Sequence, residues 1–353
     1  MINDYKSRNS LLDTYRPAIV RLAGNLIAAS FPLMKIYPAH ACLEQAAARG
    51  VIDPDTLIVE SSSGTMALGL AIACRWSGYK LAIVSDAACD PLVTMRLKDL
   101  GADVTIVPAP LAVGGYQRAR LNKVDEICRL VPNSWWVNQY DNVDNAQSYS
   151  ALAADLVESL GRIDCIVGTV GSGGSVCGTA NYLRMLFPHL YVVGVDTLGS
   201  VLFGQPDEHR TLRGLGNSLL PQNLDHTVFN EVHWVTAAEA YTATRILHRD
   251  TALFRGGTSG ACWLVARHWA ENHPDQRTVC LFPDDGYRYL QSIYDDAYMT
   301  QNNLWIESFP EPRPVKHPLD AGPKWSYLHW ARRSYGVVTG LKNASNGQVL
   351  SAA

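Results

Sequence analysis

The chain has 353 residues, of which 47% are hydrophobic and 18% charged, and its formal net charge is -3. This length exceeds what one hydrophobic core usually organises, so two domains or one large α/β unit are expected. The near-neutral charge gives no bias toward nucleic acid or anionic lipid. A polar N-terminus and the lack of a bilayer-length apolar run argue against a signal sequence or a membrane span, which predicts a cytoplasmic protein.

The eight cysteines are scattered without a CxxC pair, and most lie inside apolar runs. This pattern is typical of reduced, buried cysteines rather than of disulfides or zinc ligands. No metal site is therefore predicted.

In chain order, apolar periodicity predicts helices alternating with short strands from about residue 36. The first series has helices at 39–50, 65–78, 90–101 and 115–131 and strands at 56–60, 80–85, 103–107 and 134–138. The second has helices at 147–160, 174–185, 236–248 and 258–271 and strands at 163–168, 190–195 and 277–282. Such a series predicts an α/β fold of two doubly wound domains with mostly parallel sheets, and ligands at the carboxyl ends of the strands.

The C-terminal part differs in composition from the rest. Proline-rich and later polar sequence beyond about residue 305 favours extended or disordered chain, so residues 301–353 are predicted to be a partly disordered extension. Within it, the aromatic and basic block from Trp325 to Arg333 suits packing on the body of the protein or docking on a partner subunit.

A turn rich in glycine and serine joins the predicted strand at 163–168 to the following helix. It consists of Gly171, Ser172, Gly173, Gly174 and Ser175. Glycines let backbone N–H groups approach an anion, serine hydroxyls add donors, and a helix N-terminus favours negative charge. The turn predicts a phosphate monoester site, with close packing of strand and helix as the alternative. It is not a Walker loop and departs from GxGxxG.

The order of such segments resembles the fold-type II pyridoxal-phosphate enzymes, the cysteine synthase and cystathionine β-synthase family. The stretch from Gly168 to Gly178 is similar to the family's GxGTGGTxxG turn. Other similarities follow in family order: Pro17 to Leu22 with TPLVRL, Ser62 to Ala67 with TSGNTG, Asn138 to Tyr140 with QQF, Leu212 to Gly216 with QGIG, Gly257 to Gly260 with GISSG, and Pro283 to Tyr289 with PxSGERY. The resemblance spans about residues 15 to 292 and implies pyridoxal 5'-phosphate, a tryptophan synthase β-like fold and a homodimer.

The resemblance also implies how the chain is divided. Residues 1–34 and 146–300 would form a large domain that binds the cofactor phosphate, and residues 35–145 a small mobile domain that binds the substrate carboxylate. The family's Schiff-base lysine corresponds to Lys35, counting back from Gly50 at the end of the following helix. Burial in the apolar stretch from Phe31 to Tyr37 should lower the pKa of this amine and free it as nucleophile and proton shuttle. A surface lysine without a role is the alternative.

The loop before the predicted helix at 65–78 is suited to a substrate carboxylate, because hydroxyl and N–H groups gather there. The resemblance implies that the substrate is bound by Ser62, Ser63, Gly64, Thr65, Met66, Gln139 and Gly214, with Thr65 also at the cofactor. Thr65 stands where the family has asparagine, and Met66 where it has threonine. Simple capping of the helix by Ser62 and Ser63 is the alternative.

Asp285 precedes the glycine of the PxSG-like motif, where relatives commonly place a serine at the pyridine nitrogen. An aspartate would pair with a protonated ring nitrogen and make the cofactor a stronger electron sink. With the register shifted by one residue, Asp284 takes this role. Either aspartate also fits a solvated turn.

The leading hypothesis is β-elimination or β-replacement on serine, O-activated serine or cysteine, with Lys35 removing the Cα proton and a small nucleophile or water completing the reaction. Similarity from Tyr294 to Tyr298 and in the Ser62 loop points to cysteine desulfhydrase or sulfocysteine synthase members. A racemase, dehydratase or specialised-metabolite synthase is favoured if Asp285 protonates the ring. A catalytically silent binding subunit is the third hypothesis, because the residues flanking Lys35 differ from the family's.

Overall fold

The computed structural model describes residues 10–87, 89–112, 114–212 and 214–341. The helices are α1 (Ser10–Thr14), α2 (Ile36–Ala48), α3 (Thr65–Ser77), α4 (Pro91–Asp99), α5 (Gly115–Leu130), α6 (Val143–Gln147), α7 (Ser150–Leu160), α8 (Gly174–Leu186), α9 (Ala237–Thr251), α10 (Gly257–Asn272), α11 (Asp296–Gln301) and α12 (Tyr335–Thr339). The strands are β1 (Ala18–Ala23), β2 (Leu26–Ser30), β3 (Leu57–Ser61), β4 (Lys80–Asp86), β5 (Asp103–Val107), β6 (Ser134–Trp136), β7 (Cys165–Thr169), β8 (Tyr191–Thr197), β9 (Glu231–Val235), β10 (Thr278–Phe282), β11 (Arg313–Pro314) and β12 (Ser326–Leu328). Short 3-10 helices lie at Val201–Phe203, His226–Val228, Tyr287–Tyr289 and Pro318–Asp320.

Every helix and strand predicted between residues 39 and 282 is present, with ends shifted by at most a few residues. Strand β9 was missed by the sequence-based prediction. Two of its residues, Glu231 and His233, are polar yet buried, and they hydrogen-bond each other at 2.7 Å. This buried pair removes the apolar alternation that would have indicated a strand.

The chain forms two compact units. Among the described residues, unit 1 comprises residues 10–17 and 31–148, and unit 2 comprises residues 18–30 and 149–341. The predicted division placed residues 1–34 and 146–300 together, with 301–353 apart. In the structure, residues 10–17 group with unit 1, and residues 301–341 are part of unit 2.

Unit 1 contains a four-stranded parallel sheet in the order β5-β4-β3-β6. The valines Val59, Val84, Val107 and Val124 form a core between this sheet and α5. The chain adds β4 and β5 on one side of β3 and then returns to place β6 on the other. In α/β sheets, ligands bind beyond the carboxyl ends of the strands at such a reversal. The expected site in unit 1 is therefore the edge where β3 and β6 end.

Unit 2 contains an eight-stranded sheet in the order β1-β2-β10-β7-β8-β9-β12-β11. Its centre, β2-β10-β7-β8-β9, is parallel, whereas β1 is antiparallel to β2 and β12 is antiparallel to β9. Here the reversal lies between β7 and β10, because β8 and β9 are added on one side of β7 and β10 on the other. The fold class is α/β with two doubly wound, mostly parallel sheets, as predicted.

The C-terminal part is more ordered than its composition indicates. Residues 313–340, called the C-terminal strap below, contain β11, β12 and α12, and β12 pairs with β9. Trp325 and Trp330 are buried, so the aromatic block packs on unit 2 itself. In the strap, β11 and β12 are extended chain, and packing on the body of the protein was one of the two roles expected for the aromatic block. Residues 342–353 lie outside the described residues.

None of the helices in the described ranges combines the length and apolar character that crossing a bilayer requires.

Candidate active site

Lys35 lies at the N-terminal end of α2 in unit 1. It is the last residue before the helix, with φ -67° and ψ -4°, and Pro38 occupies the first turn as predicted. Burial lowers the pKa of Lys35 from 10.5 to about 8. The nearby Cys42 and Glu60 raise this pKa electrostatically, but by less than burial lowers it. About a tenth of this amine is therefore uncharged at pH 7, far more than of an ordinary lysine, and the uncharged form is the one that attacks an aldehyde or accepts a proton.

Helix α3 packs directly against the turn that carries Lys35. A Cβ atom placed on Gly69 would lie only 2.7 Å from the Lys35 carbonyl oxygen. Only glycine permits this approach, which brings the first turns of α3 next to the lysine-bearing turn. Lys35 and the loop from Ser62 to Met66 therefore belong to the same region of unit 1.

The loop before α3 has the predicted form, but its members differ in what they offer. The Ser62 hydroxyl accepts hydrogen bonds from the N–H groups of Gly64 and Ala67, each at 3.2 Å, so this serine caps the helix. The Met66 side chain is fully buried, which leaves only its backbone N–H as a possible ligand contact. Ser63, Gly64 and Thr65 are half-buried at the start of the helix. Capping thus accounts for Ser62, and the remaining donors surround the helix N-terminus.

Gln139 follows β6 and is fastened to the end of β3. Its side-chain amide donates to the Ser61 carbonyl oxygen at 3.2 Å. The buried carboxylate of Glu60 accepts the N–H of Ser61 at 2.7 Å and that of Gln139 at 3.1 Å. Glu60 therefore joins the two segments that the resemblance assigned to the substrate, at the strand reversal of unit 1.

Glu60 should also make the free energy of unfolding depend on pH. Burial raises the pKa of Glu60 from 4.5 to about 7, so the folded state holds this proton more tightly than the unfolded state. The resulting stabilisation is complete below pH 4.5 and is lost as the pH rises through 7. We expect the free energy of unfolding of the natural protein to fall over this range, by at most about 3 kcal/mol, relative to that of Glu60→Gln.

Urea unfolding of both proteins at pH values on either side of this window measures the effect. Glu126→Gln, which changes a half-exposed residue in the same unit, is the control and should leave the pH profile unchanged. Parallel profiles for the natural protein and Glu60→Gln would contradict the raised pKa.

Arg120 is a residue of this region that the sequence analysis missed. It is buried on α5, forms an ion pair with Asp86, and donates to the Ser61 and Ser63 hydroxyls at 3.2 and 3.4 Å. The helix is otherwise an ordinary amphipathic sequence, so nothing near Arg120 distinguished it. The available signal was Asp86 at the carboxyl end of β4, which places a buried acid in need of a partner at this edge.

The glycine turn in unit 2 joins β7 to α8, as predicted. Gly173 precedes the helix with φ +83°, and a Cβ atom there would lie 2.7 Å from the Leu224 Cα. Ser172 is buried, whereas Gly171 and Ser175 are half-buried. The first N–H groups of α8 have no partner within the helix and carry its positive partial charge. The turn therefore forms a cradle of backbone donors suited to a phosphate group.

Gly214 lies against this turn. A Cβ atom on Gly171 would be 3.5 Å from the Gly214 carbonyl oxygen. Gly214 itself has φ +80°, which favours glycine. Its neighbour Arg213 lies outside the described residues. The structure thus places Gly214 beside the phosphate turn.

The two aspartates after β10 differ in their surroundings. Asp284 is buried, accepts the Tyr289 hydroxyl at 2.8 Å and lies 3.5 Å from Arg288. Burial raises the pKa of Asp284 to about 6 against the opposing effect of Arg288. Asp285 is half-buried, and its carboxylate accepts the N–H of Tyr287 at 3.1 Å. One oxygen of Asp284 is thus engaged inside the turn and the other is buried, which favours the half-buried Asp285 as the group available to a ligand.

Taken separately, each unit has groups of a kind that pyridoxal phosphate requires. The phosphate suits the turn from Gly171 to Ser175, where side chains are excluded at Gly173. In unit 1, the lowered pKa of Lys35 suits an amine that reacts with an aldehyde. The pyridine nitrogen suits the carboxylate of Asp285, beyond the end of β10. Turn and aspartate follow the two strands between which the order of the unit 2 sheet reverses.

Comparison with known proteins agrees with this fit. The profile of the pyridoxal-phosphate dependent enzymes matches residues 30–284. An N-(2-amino-2-carboxyethyl)-L-glutamate synthase of Cupriavidus metallidurans is 36% identical over 274 residues, covering 76% of this chain and 80% of that protein. Another of the same name, from Ralstonia nicotianae, is 36% identical over 271 residues, with the same coverage.

Among solved structures, the O-acetylserine dependent cystathionine β-synthase of Helicobacter pylori is similar with a TM-score of 0.73 and 25% identity. The similarity covers 79% of this chain and 96% of that one. Because these relatives are synthases, the hypothesis of a catalytically silent subunit is set aside. The chain belongs to the family of pyridoxal-phosphate dependent enzymes and is an enzyme of the cysteine synthase type.

Proposed function

We propose that this enzyme replaces the leaving group of an O-activated serine with the amine of a second amino acid, and that glutamate is such an amine. The observation that carries the reaction class is the lysine of lowered pKa, Lys35, beside the N-terminus of α3. The choice of an amine is supported by the two relatives at 36% identity. The product in their name joins a 2-amino-2-carboxyethyl group, which has the carbon skeleton of serine, to glutamate nitrogen.

The proposed roles of the residues follow from their chemistry. Bound pyridoxal phosphate supplies an electron sink that acidifies the substrate's Cα–H bond. The N–H groups at the start of α3 and the Ser63 hydroxyl orient the substrate carboxylate. Lys35 Nζ accepts the Cα proton, and Asp285 holds a proton at the ring nitrogen. The N–H groups of the turn from Gly171 to Ser175 bind the phosphate, and Gln139 and Gly214 are the remaining substrate contacts.

Two other outcomes have specific support. A sulfur nucleophile is suggested by the cystathionine β-synthase of Helicobacter pylori. If water acts in place of the nucleophile, pyruvate and ammonia are released and the enzyme is a lyase. Racemisation or dehydration is suggested by the acid at position 285, because a protonated ring favours a carbanion at Cα. The relatives at higher identity favour replacement, and hence a transferase.

Product analysis separates these possibilities. The purified enzyme is incubated with O-acetylserine or O-phosphoserine and either glutamate, sulfide, homocysteine or no nucleophile, and products are identified by mass spectrometry. We expect the N-linked product with glutamate, and more of it than of any sulfur product. Sulfur products that dominate under competition would overturn the choice of an amine, whereas pyruvate alone would identify a lyase. Inversion of the O-activated serine with its side chain intact would identify a racemase.

We further propose that the enzyme works as a homodimer in the cytoplasm. The family resemblance supports the dimer. Light scattering after size-exclusion chromatography tests the first statement, and a monomeric mass for the active fraction would contradict it.

A further inference from the structure

The loop after β8 reaches the phosphate turn in unit 2. The Gly216 N–H donates to the Val170 carbonyl oxygen at 3.0 Å. The Asn217 side-chain amide donates to the Gly171 carbonyl oxygen at 3.4 Å. Residues 197–218, apart from the undescribed Arg213, are called the bracing loop below. Its contacts fall on the residues that lead into Gly173, so a shift of the bracing loop would shift the turn.

The two ends of the bracing loop are fastened to each other at Ser200. The Ser200 hydroxyl oxygen accepts the N–H groups of Asn217 at 3.2 Å and Leu202 at 3.3 Å. The Val201 N–H in turn donates to the Asn217 carbonyl oxygen at 3.0 Å. Asn217, which holds the phosphate turn, is therefore positioned by the short 3-10 helix at Val201–Phe203.

This 3-10 helix is held by the C-terminal strap. The Trp330 ring packs edge-on against Phe203, with centroids 5.2 Å apart, and the Tyr335 hydroxyl donates to the Val201 carbonyl oxygen at 3.5 Å. Just beyond the 3-10 helix, the buried Gln205 accepts the Gly199 N–H at 2.9 Å and donates to the Pro318 carbonyl oxygen at 3.2 Å. Aromatic packing and hydrogen bonds thus join the strap to the bracing loop.

The strap is an addition to the part of the chain that carries the family's pattern. The family profile ends at residue 284, and the strap begins at Arg313. Its contacts converge on the bracing loop as well as on the edge strand β9, where β12 pairs. Covering β9 alone would not require Tyr335 and Pro318 to reach residues 201 and 205.

We propose that the C-terminal strap positions the phosphate turn through the bracing loop and thereby sets the affinity for the phosphate of pyridoxal phosphate. The proposal rests on the assignment of that phosphate to the turn from Gly171 to Ser175. The strap acts through Phe203, Ser200 and Asn217 and touches neither cofactor nor substrate in this scheme. It is a positioning element.

Gly204 offers a way to separate strap and bracing loop without touching the turn. It has φ +88°, and a Cβ atom there would lie 2.6 Å from the Thr339 Cγ2 and 3.2 Å from the Pro318 Cγ, both in the strap. Gly204→Ala therefore pushes the strap away. Gly340→Ala is the matched control, because Gly340 has φ +70° and open space around its Cβ position. Both substitutions carry left-handed strain, but only the first separates the two segments.

The readout compares pyridoxal phosphate with pyridoxal, which lacks the phosphate. Apoenzyme is titrated with each, and the dissociation constants are measured by quenching of protein fluorescence. For Gly204→Ala we expect about tenfold weaker binding of pyridoxal phosphate, as for one weakened charge-assisted hydrogen bond, with unchanged binding of pyridoxal. Gly340→Ala should change neither constant.

Unchanged affinity of Gly204→Ala for pyridoxal phosphate, or an equal loss for both compounds, would overturn the proposal. A natural enzyme that binds both compounds equally would instead overturn the assignment of the phosphate to the turn. If Gly204→Ala does not fold, Tyr335→Phe, which removes only the hydroxyl on Val201, takes its place. Tyr335→Phe should likewise weaken the binding of pyridoxal phosphate and leave the binding of pyridoxal unchanged. Unchanged binding of pyridoxal phosphate by this variant would overturn the proposal.

Discussion

Lys35→Ala is expected to lower kcat by a factor of at least about 1,000, because one side chain is lost both as the attachment point of the cofactor and as the base at Cα. The lowered pKa of Lys35, about 8, means that the natural enzyme deprotonates this amine more readily than an ordinary lysine. Borohydride reduction followed by peptide mapping should place the cofactor on Lys35 in the natural enzyme and on no residue in the variant.

A matched control distinguishes the role of Lys35 from a general need for lysine. Lys80→Ala removes an exposed lysine at the start of β4 in the same unit and should leave both kcat and labelling intact. The other lysines of the described ranges are exposed or half-exposed, namely Lys98, Lys123, Lys316 and Lys324. A label retained in Lys35→Ala would show that another lysine carries the cofactor, and the proposed site would then be wrong.

Gly173→Ala is expected to weaken the binding of pyridoxal phosphate by about 100-fold or more. The new methyl group would lie 2.7 Å from the Leu224 Cα and 2.9 Å from the Asn223 carbonyl oxygen, both backbone atoms that cannot turn aside. The turn must therefore move, and the phosphate loses more than one charge-assisted hydrogen bond. Titration of the apoenzyme measures the loss, and far-UV circular dichroism checks that the fold is retained.

Gly161→Ala controls for backbone strain. Gly161 has φ +68° in the same unit, with nothing within 4 Å of its Cβ position. This variant should lose about 1–3 kcal/mol of stability yet bind the cofactor as the natural enzyme does. If Gly173→Ala were to bind pyridoxal phosphate normally, the phosphate would have to lie elsewhere.

The sequence was informative where one local rule determines the outcome. Glycines before a helix predicted the turn at Gly173, and an apolar stretch around Lys35 predicted a lowered pKa; the structure agrees with both. The assignment of Lys35 and Asp285 to the cofactor, made from the sequence, stays a prediction. The labelling experiment on Lys35→Ala tests the part that concerns Lys35. Short apolar runs located the parallel strands of both sheets except β2 and β9.

What escaped prediction depends on contacts between distant segments. Glu60 appeared as one more residue of a buried strand, and only the folded unit shows its carboxylate joining Ser61 to Gln139. Arg120 acquires its place only through Asp86, which lies 34 positions earlier in the chain. Composition left open where the aromatic block of the strap packs, because composition measures average hydrophobicity, whereas a few large side chains such as Trp330 supply the packing.

The order of segments along the chain has a consequence for how the protein is made. Residues 18–30 belong to unit 2, yet unit 1 follows them before the rest of unit 2 is synthesised. Strand β2 pairs with β10, and the Asn25 side chain bonds to the Gln276 carbonyl oxygen across a separation of 251 residues. During translation, unit 1 is complete long before the first hairpin of unit 2 meets its neighbour strand. Closure of the larger sheet is thus a late event, and until then an apolar hairpin near the N-terminus stays exposed to chaperones and to aggregation.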